Sequence, residues 1–170
     1  MKYTSAEAAK LLRKFSEELA SLQSGEEQSR EFLTALGEDP ESVRPAYDYA
    51  DTQRRMDELE GRIRALKHAI SVFNTTHTVP GFDMTVDQML VYLPQLNARC
   101  AKLRQMKDKL PKTRESAHSF GRGSAVIDYR YLNYDLEPVR RDYAAASDTL
   151  ARAQTALDLV NSTETLEFEL

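Results

Sequence analysis

Residues able to do chemistry are few and scattered in this chain. The three histidines, His68, His77 and His118, form no ligand-spaced pair, and no cysteine lies near them. A helical zinc site needs such a pair, for example His at i and i+4. The single cysteine, Cys100, falls on an apolar helical stripe. A thiol there behaves as a small hydrophobe, and a nucleophile would need an exposed site with an adjacent base. The run Ser119 to Ser124 holds Gly121, Arg122 and Gly123. A phosphate cradle needs a strand before the glycines and a helix after them. A strand pattern follows instead, so the run reads as a flexible loop or hairpin approach. No catalytic, cofactor-binding or metal residue is assigned.

Two groups of residues remain. Tyr129, Tyr131 and Tyr134 cluster in sequence with Arg130. They could stack on a base or a ligand, or pack on helix ends or a second subunit. The segment with Arg99, Lys102, Arg104, Lys107, Lys109, Lys112 and Arg114 has Asp108 as its sole acid. Such a stretch can meet phosphates, or it can meet acidic helices carrying Glu17, Glu18, Glu26 and Glu27. These seven cations are the candidate surface for an anionic partner. An enzyme with a bundle-end pocket at Tyr129, Tyr131 and His118 is a third reading, but no acid and base stand at a defensible spacing.

The elements that must position these residues are mostly helical. From Asp48 to Phe73, the residues Tyr49, Thr52, Met56, Leu59, Ile63, Leu66, Ile70 and Phe73 recur at intervals of three and four. That spacing predicts a long helix with one narrow seam, capped by Asp48. Its wet face offers acid-then-base pairs Asp51 to Arg55, Glu58 to Arg62 and Glu60 to Arg64, and Gly61 is its weak point. Thr4 and Glu7 form a capping box for a first helix with Ala8, Leu11, Leu12, Phe15, Leu19 and Leu22 inside, ended by Ser24 and Gly25. Residues 29–36 suit either a strand or a short helix closed by Gly37, and residues 37–45 read as a loop. Thr85 and Gln88 make a second box, before Met89, Leu93, Leu96, Cys100, Leu103 and Leu110. Pro94 should bend this helix, and Pro111 should end it. Residues 112–124 read as a polar loop and 125–131 as a strand. A last helix carries Val139, Tyr143, Ala146, Leu150, Ala153, Leu157 and Val160. Leu166, Phe168 and Leu170 then alternate as in a terminal strand.

The fold class expected is mainly α. Long antiparallel helices form a bundle or coiled coil with a small antiparallel β element, in the order α-β-α-α-β-α-β, within one domain over 1–170. The chain has 170 residues, 41% hydrophobic and 29% charged, with a net charge of −4. That charge gives no whole-chain reason to bind nucleic acid. One cysteine fits a reducing compartment, and no long apolar run is present, so a cytoplasmic protein without a membrane span is expected. The primary functional expectation is a structural or interaction protein that forms homo-oligomers through helical seams and strand edges. The alternative is a binding module for an acidic partner or nucleic acid through the basic helix.

The run Glu58 to Thr76 resembles a segment of the septicolysin-like family of bacterial coiled-coil proteins. Met84 to Leu90, Val126 to Tyr129 and Ala156 to Thr163 fit the same resemblance in order. It covers most of the chain, and its motifs are structural. It implies no catalytic residues to carry over. It also implies an extended segment after the first helix, which tips residues 29–36 toward strand. The family label hints at a cytolysin, but no membrane-inserting apolar segment is present.

Overall fold

The computed structural model describes residues 1–115 and 128–169. The order is β1 (Lys2–Thr4), α1 (Ser5–Ser29), α2 (Pro40–Val43), α3 (Tyr49–Thr76), α4 (Val86–Lys107), β2 (Lys112–Arg114), β3 (Tyr129–Tyr131), α5 (Leu136–Thr163) and β4 (Thr165–Glu167). The fold is mainly α and, among the described residues, has two small antiparallel sheets, β1 with β4 and β2 with β3. The chain divides into two compact units. One is Met1–Asp87 with Leu157–Leu170, and the other is Gln88–Ala156.

In the first unit, the capping box forms. The Glu7 amide donates to Thr4 Oγ1 at 3.2 Å, and the Thr4 amide donates to Glu7 Oε2 at 2.8 Å. That backbone bond from Thr4 is the main reason the Glu7 carboxyl sits below its ordinary pKa. Helix α1 does not stop at Gly25 but runs to Ser29. The reason is the very next residue. Glu26 accepts the Tyr47 hydroxyl at 2.6 Å and the Gln53 amide at 2.8 Å, tying the extra turn to the start of α3. A mid-helix glycine costs about 1 kcal/mol. The two bonds to the Glu26 carboxylate work against that cost.

The expected strand at residues 29–36 is absent. Ser29 ends α1, and residues 30–35 are irregular. A strand needs a partner for its ladder, and residues 30–35 pair with none of the described strands. Phe32 lies under the Arg44 guanidinium, 5.3 Å from its ring centroid, while Leu33 and Leu36 are fully exposed. The loop expected at 37–45 contains the single helical turn α2, because Pro40 sits at its first position and Asp39 caps it.

Helix α3 starts where expected, with the Asp51 amide donating to Asp48 Oδ1 at 3.0 Å. Met56, Leu59, Leu66 and Phe73 of its seam are buried; Thr52, Ile63 and Ile70 are half-buried; Tyr49 is exposed. It packs antiparallel on α1. The expected four-residue pairs do not form. Arg54 instead bridges Asp51 and, at 2.7 Å, Glu58. Both acids lie within one turn of it, so a single guanidinium reaches each. At Gly61 a methyl group would meet only the Arg64 guanidinium, at 4.0 Å. Gly61→Ala is therefore expected to raise stability by about 0.8–1 kcal/mol, read as a higher urea midpoint at unchanged m.

Strand β4 pairs with β1 in the register Lys2 to Glu167, Tyr3 to Leu166 and Thr4 to Thr165. Leu166 and Phe168 are buried and Glu167 and Glu169 exposed, the alternation that the terminal pattern predicts. Leu170 lies outside the described residues. The Met1 ammonium donates to the Phe168 carbonyl at 3.0 Å, and the Phe168 amide donates back to Met1 at 3.0 Å.

In the second unit, α4 continues through Pro94. It ends at Lys107, not at Pro111, and Leu110 is exposed. Pro111 disfavours helical backbone at the residue before it, and the Lys109 amide turns back onto the Met106 carbonyl at 3.3 Å. Leu103, Val139 and Ala146 form the core between α4 and α5, with Cys100, Met106, Tyr134 and Tyr143 packed against it. Of the predicted α5 seam, Val139, Tyr143, Ala146, Leu150 and Ala153 in this unit are buried or half-buried, and Leu157 and Val160, which belong to the first unit, are buried. A two-helix pair of this kind buries one stripe from each helix and leaves the rest wet.

Candidate functional site

The strand pair β2–β3 gathers more chemistry than any other described surface. Residues 112–114, expected as polar loop, form β2. The expected strand at 125–131 is described only from 128 onward and forms β3 at Tyr129–Tyr131. The ladder pairs Lys112 with Tyr131, Thr113 with Arg130 and Arg114 with Tyr129. Bonds from the Leu132 amide to Pro111 (3.1 Å) and from the Glu115 amide to Asp128 (2.9 Å) extend it at both ends. Paired residues share a face, and alternate residues along a strand share a face. One face therefore carries Lys112, Arg114, Tyr129 and Tyr131. The other carries Thr113 and Arg130, with Arg130 paired to Glu115.

The lysine confirms the register. Lys112 Nζ lies 4.1 Å from the Tyr129 ring centroid and 5.3 Å from that of Tyr131. Both rings are exposed, at 45% and 62%. An exposed cation–π contact is worth about 0.5–1 kcal/mol, whereas a base stacked on an aromatic ring is worth about 1–3 kcal/mol. A ligand with a flat ring can therefore displace the ammonium at small cost.

Tyr134 is not part of this face. Its hydroxyl donates to the Met106 carbonyl at 2.9 Å, a second bond beside that from the Lys109 amide, in the last turn of α4. It anchors the ribbon's exit to the helix pair.

The seven cations do not form one stripe. At about 100° per residue, Arg99 and Arg104 stand roughly 140° apart around α4, on opposite flanks of the buried seam. Lys107 is engaged by Asp108 at 2.8 Å and lies 4.9 Å from the Tyr143 ring centroid. The Lys107 hydrogen bond, with the charges of Lys107, Arg104 and Arg140, holds the Asp108 carboxyl below its ordinary pKa. Arg99 borders a cavity of about 150 Å³ with Leu96, Asp142 and Ala146, below the roughly 300 Å³ at which ligand pockets begin. Arg99, Lys102, Arg104, Lys109, Lys112 and Arg114 are exposed and enter no ion pair among the described residues.

Of the other candidates, His68 is exposed on α3. His77 caps the end of α3. It stacks on Phe73 with ring centroids 4.0 Å apart, and its Nδ1 lies 3.1 Å from the Phe73 carbonyl. Cys100 is half-buried against the α4–α5 core. His118 and the run Ser119 to Ser124 lie outside the described residues. Among the described residues, no three His, Cys, Asp or Glu converge as metal ligands, and no helix is long and apolar enough to cross a membrane.

Two features were missed in the sequence. The first is the Glu26 hub. Its carboxylate accepts the Tyr47 hydroxyl, and mainly for that reason the Tyr47 pKa is pushed up to about 12. A raised folded pKa means the fold holds the phenolic proton. The contribution is complete below pH ~10 and is lost as pH rises toward about 12. Tyr47→Phe is expected to flatten that alkaline loss, and a tyrosinate absorbance titration of both proteins checks it. The second is the division of charge. Residues 88–156 hold 12 Lys and Arg against 7 Asp and Glu, a formal +5. The remainder holds 11 against 20, a formal −9, and together they give the −4 of the whole chain. Counting charge by segment reveals what the total conceals.

The chain matches no protein-family model and no curated protein. Its fold is similar to that of a solved structure described as a functionally unknown conserved protein from Corynebacterium diphtheriae. The TM-score is 0.62 at 16% identity, covering 98% of this chain and 100% of the other. At that identity the likeness concerns the fold.

Proposed function

We propose that this chain is an interaction protein that self-associates, holding a partner copy and turning over no substrate. The charge division carries the reading. The formal +5 of residues 88–156 in one copy complements the formal −9 of the remainder in another. Among the described residues both sheets are two-stranded, so each strand keeps an edge unpaired by any of them, of the kind that a neighbour can extend. Exposed Leu33, Leu36 and Leu110 add apolar surface. The resemblance to septicolysin-like coiled-coil proteins is in keeping with a structural role. Size-exclusion chromatography with light scattering tests it. A mass above the 19.3 kDa of one chain is expected at low salt, falling as salt is added. A concentration-independent monomer at low salt would sink the reading.

A second reading is favoured by the cations Arg104, Lys109, Lys112 and Arg114, which enter no ion pair among the described residues. In it, residues 88–156 hold an acidic partner other than a second copy, through the region Arg99 to Arg114. Retention on an anionic resin at low salt, lost steeply with added salt, is its signature.

A further inference from the structure

We propose that the face of the β2–β3 ribbon carrying Lys112, Arg114, Tyr129 and Tyr131 binds single-stranded nucleic acid. This rests on the second reading above and names its partner class. The two tyrosines lie two residues apart on one strand face, which sets their Cα atoms about 6.6 Å apart. That is close to twice the 3.4 Å advance per stacked base. Two rings at that interval fit two successive bases of a strand that is stretched out, not coiled in a duplex. Each ring has a cation directly across the ladder, Lys112 beside Tyr131 and Arg114 beside Tyr129. Stacking surface and cations therefore share one face, with the Lys112 ammonium over both rings and nearer Tyr129. Sheet faces whose aromatics take two or three bases are an established solution for single-stranded RNA.

Other anionic partners use less of this arrangement. A duplex keeps its bases stacked on one another, so the rings have no base face to meet. An acidic polypeptide engages the cations but gives the tyrosine rings no stacking partner. Both strands are exposed along their whole length, so an extended backbone can lie on them. Arg114 enters no ion pair among the described residues, and Lys112 rests only on the two rings.

The test uses the full chain and a dye-labelled oligothymidylate, read by fluorescence anisotropy at low salt. A duplex of the same length and poly-glutamate run beside it. The single strand is expected to bind more tightly than either. Tyr129→Ala and Tyr131→Ala are each expected to weaken binding about 5- to 150-fold. Tyr129→Phe and Tyr131→Phe are expected to retain it, because the ring and not the hydroxyl stacks. Lys112→Ala and Arg114→Ala are each expected to lower the slope of log K against log salt by about 0.7. All four side chains are exposed, and circular dichroism of each variant confirms that the helices remain. Unchanged binding in the doubly Ala-substituted tyrosine variant would overturn the proposal. So would poly-glutamate binding as tightly as the oligonucleotide, which leaves the acidic-partner reading standing. Binding of none of the three ligands at low salt would remove both.

Discussion

Phe73→Ala is expected to destabilise the protein by about 3–5 kcal/mol, the range for deleting a buried aromatic side chain. Phe73 is 1% exposed, the largest of the fully buried side chains among the described residues. It closes the seam of α3 at the turn where that helix ends. Its ring supports the His77 imidazole, and its carbonyl accepts the His77 amide at 3.0 Å. Removing the ring leaves a cavity and also frees the side chain that covers the helix end. The loss should appear as a lower urea midpoint at unchanged m. A shift below about 1 kcal/mol would mean that the site collapses to fill the void, and that the seam does not hold the unit.

Ala153→Asp is expected to cost more than about 4 kcal/mol, among the largest effects a single exchange produces. Ala153 is 0% exposed on α5, and no buried polar or charged side chain occurs among the described residues. A carboxylate there has neither room nor a partner, and an unpaired buried charge is expensive. The sign with pH follows from desolvation. Burial raises the folded pKa of the new carboxyl above the ~3.9 of the unfolded chain. The charge penalty is then full at neutral pH and shrinks as pH falls through the raised value toward ~4. Ala153→Asn keeps the volume without the charge, so its deficit should not vary with pH. Equal pH profiles for the two variants, from urea melts across that range, would place residue 153 in contact with water.

Seam residues were legible because burial on a helix leaves a local mark. Leu59, Leu66 and Phe73 recur at the period of one helix face, and so do Leu96, Leu103, Ala146 and Val160. All of them are buried. The caps Thr4 and Asp48 were legible for the same reason, since each acts on a residue three positions away. What stayed hidden depends on residues far apart in the chain. Helix α1 passes Gly25 because Tyr47 and Gln53 reach back to Glu26. Strands β1 and β2 have three residues each, too short to show a pattern of their own, and exist through their partners. The candidate site divides the same way. The cations of 99–114 were visible as composition. That Lys112 and Arg114 share a face with Tyr129 and Tyr131 is a fact of register across an intervening segment, and no local pattern encodes it.

Pro94 has a consequence for how α4 breathes. Proline has no amide proton, so the Leu90 carbonyl one turn earlier lacks its usual donor, and one rung of the ladder is missing near mid-helix. Helix α3 has no proline along its 28 residues. Deuterium uptake should therefore be faster at the amides flanking residue 94 than at the centre of α3, with the first and last turns of α4 as slow as the packing of Met89 and Leu103 permits.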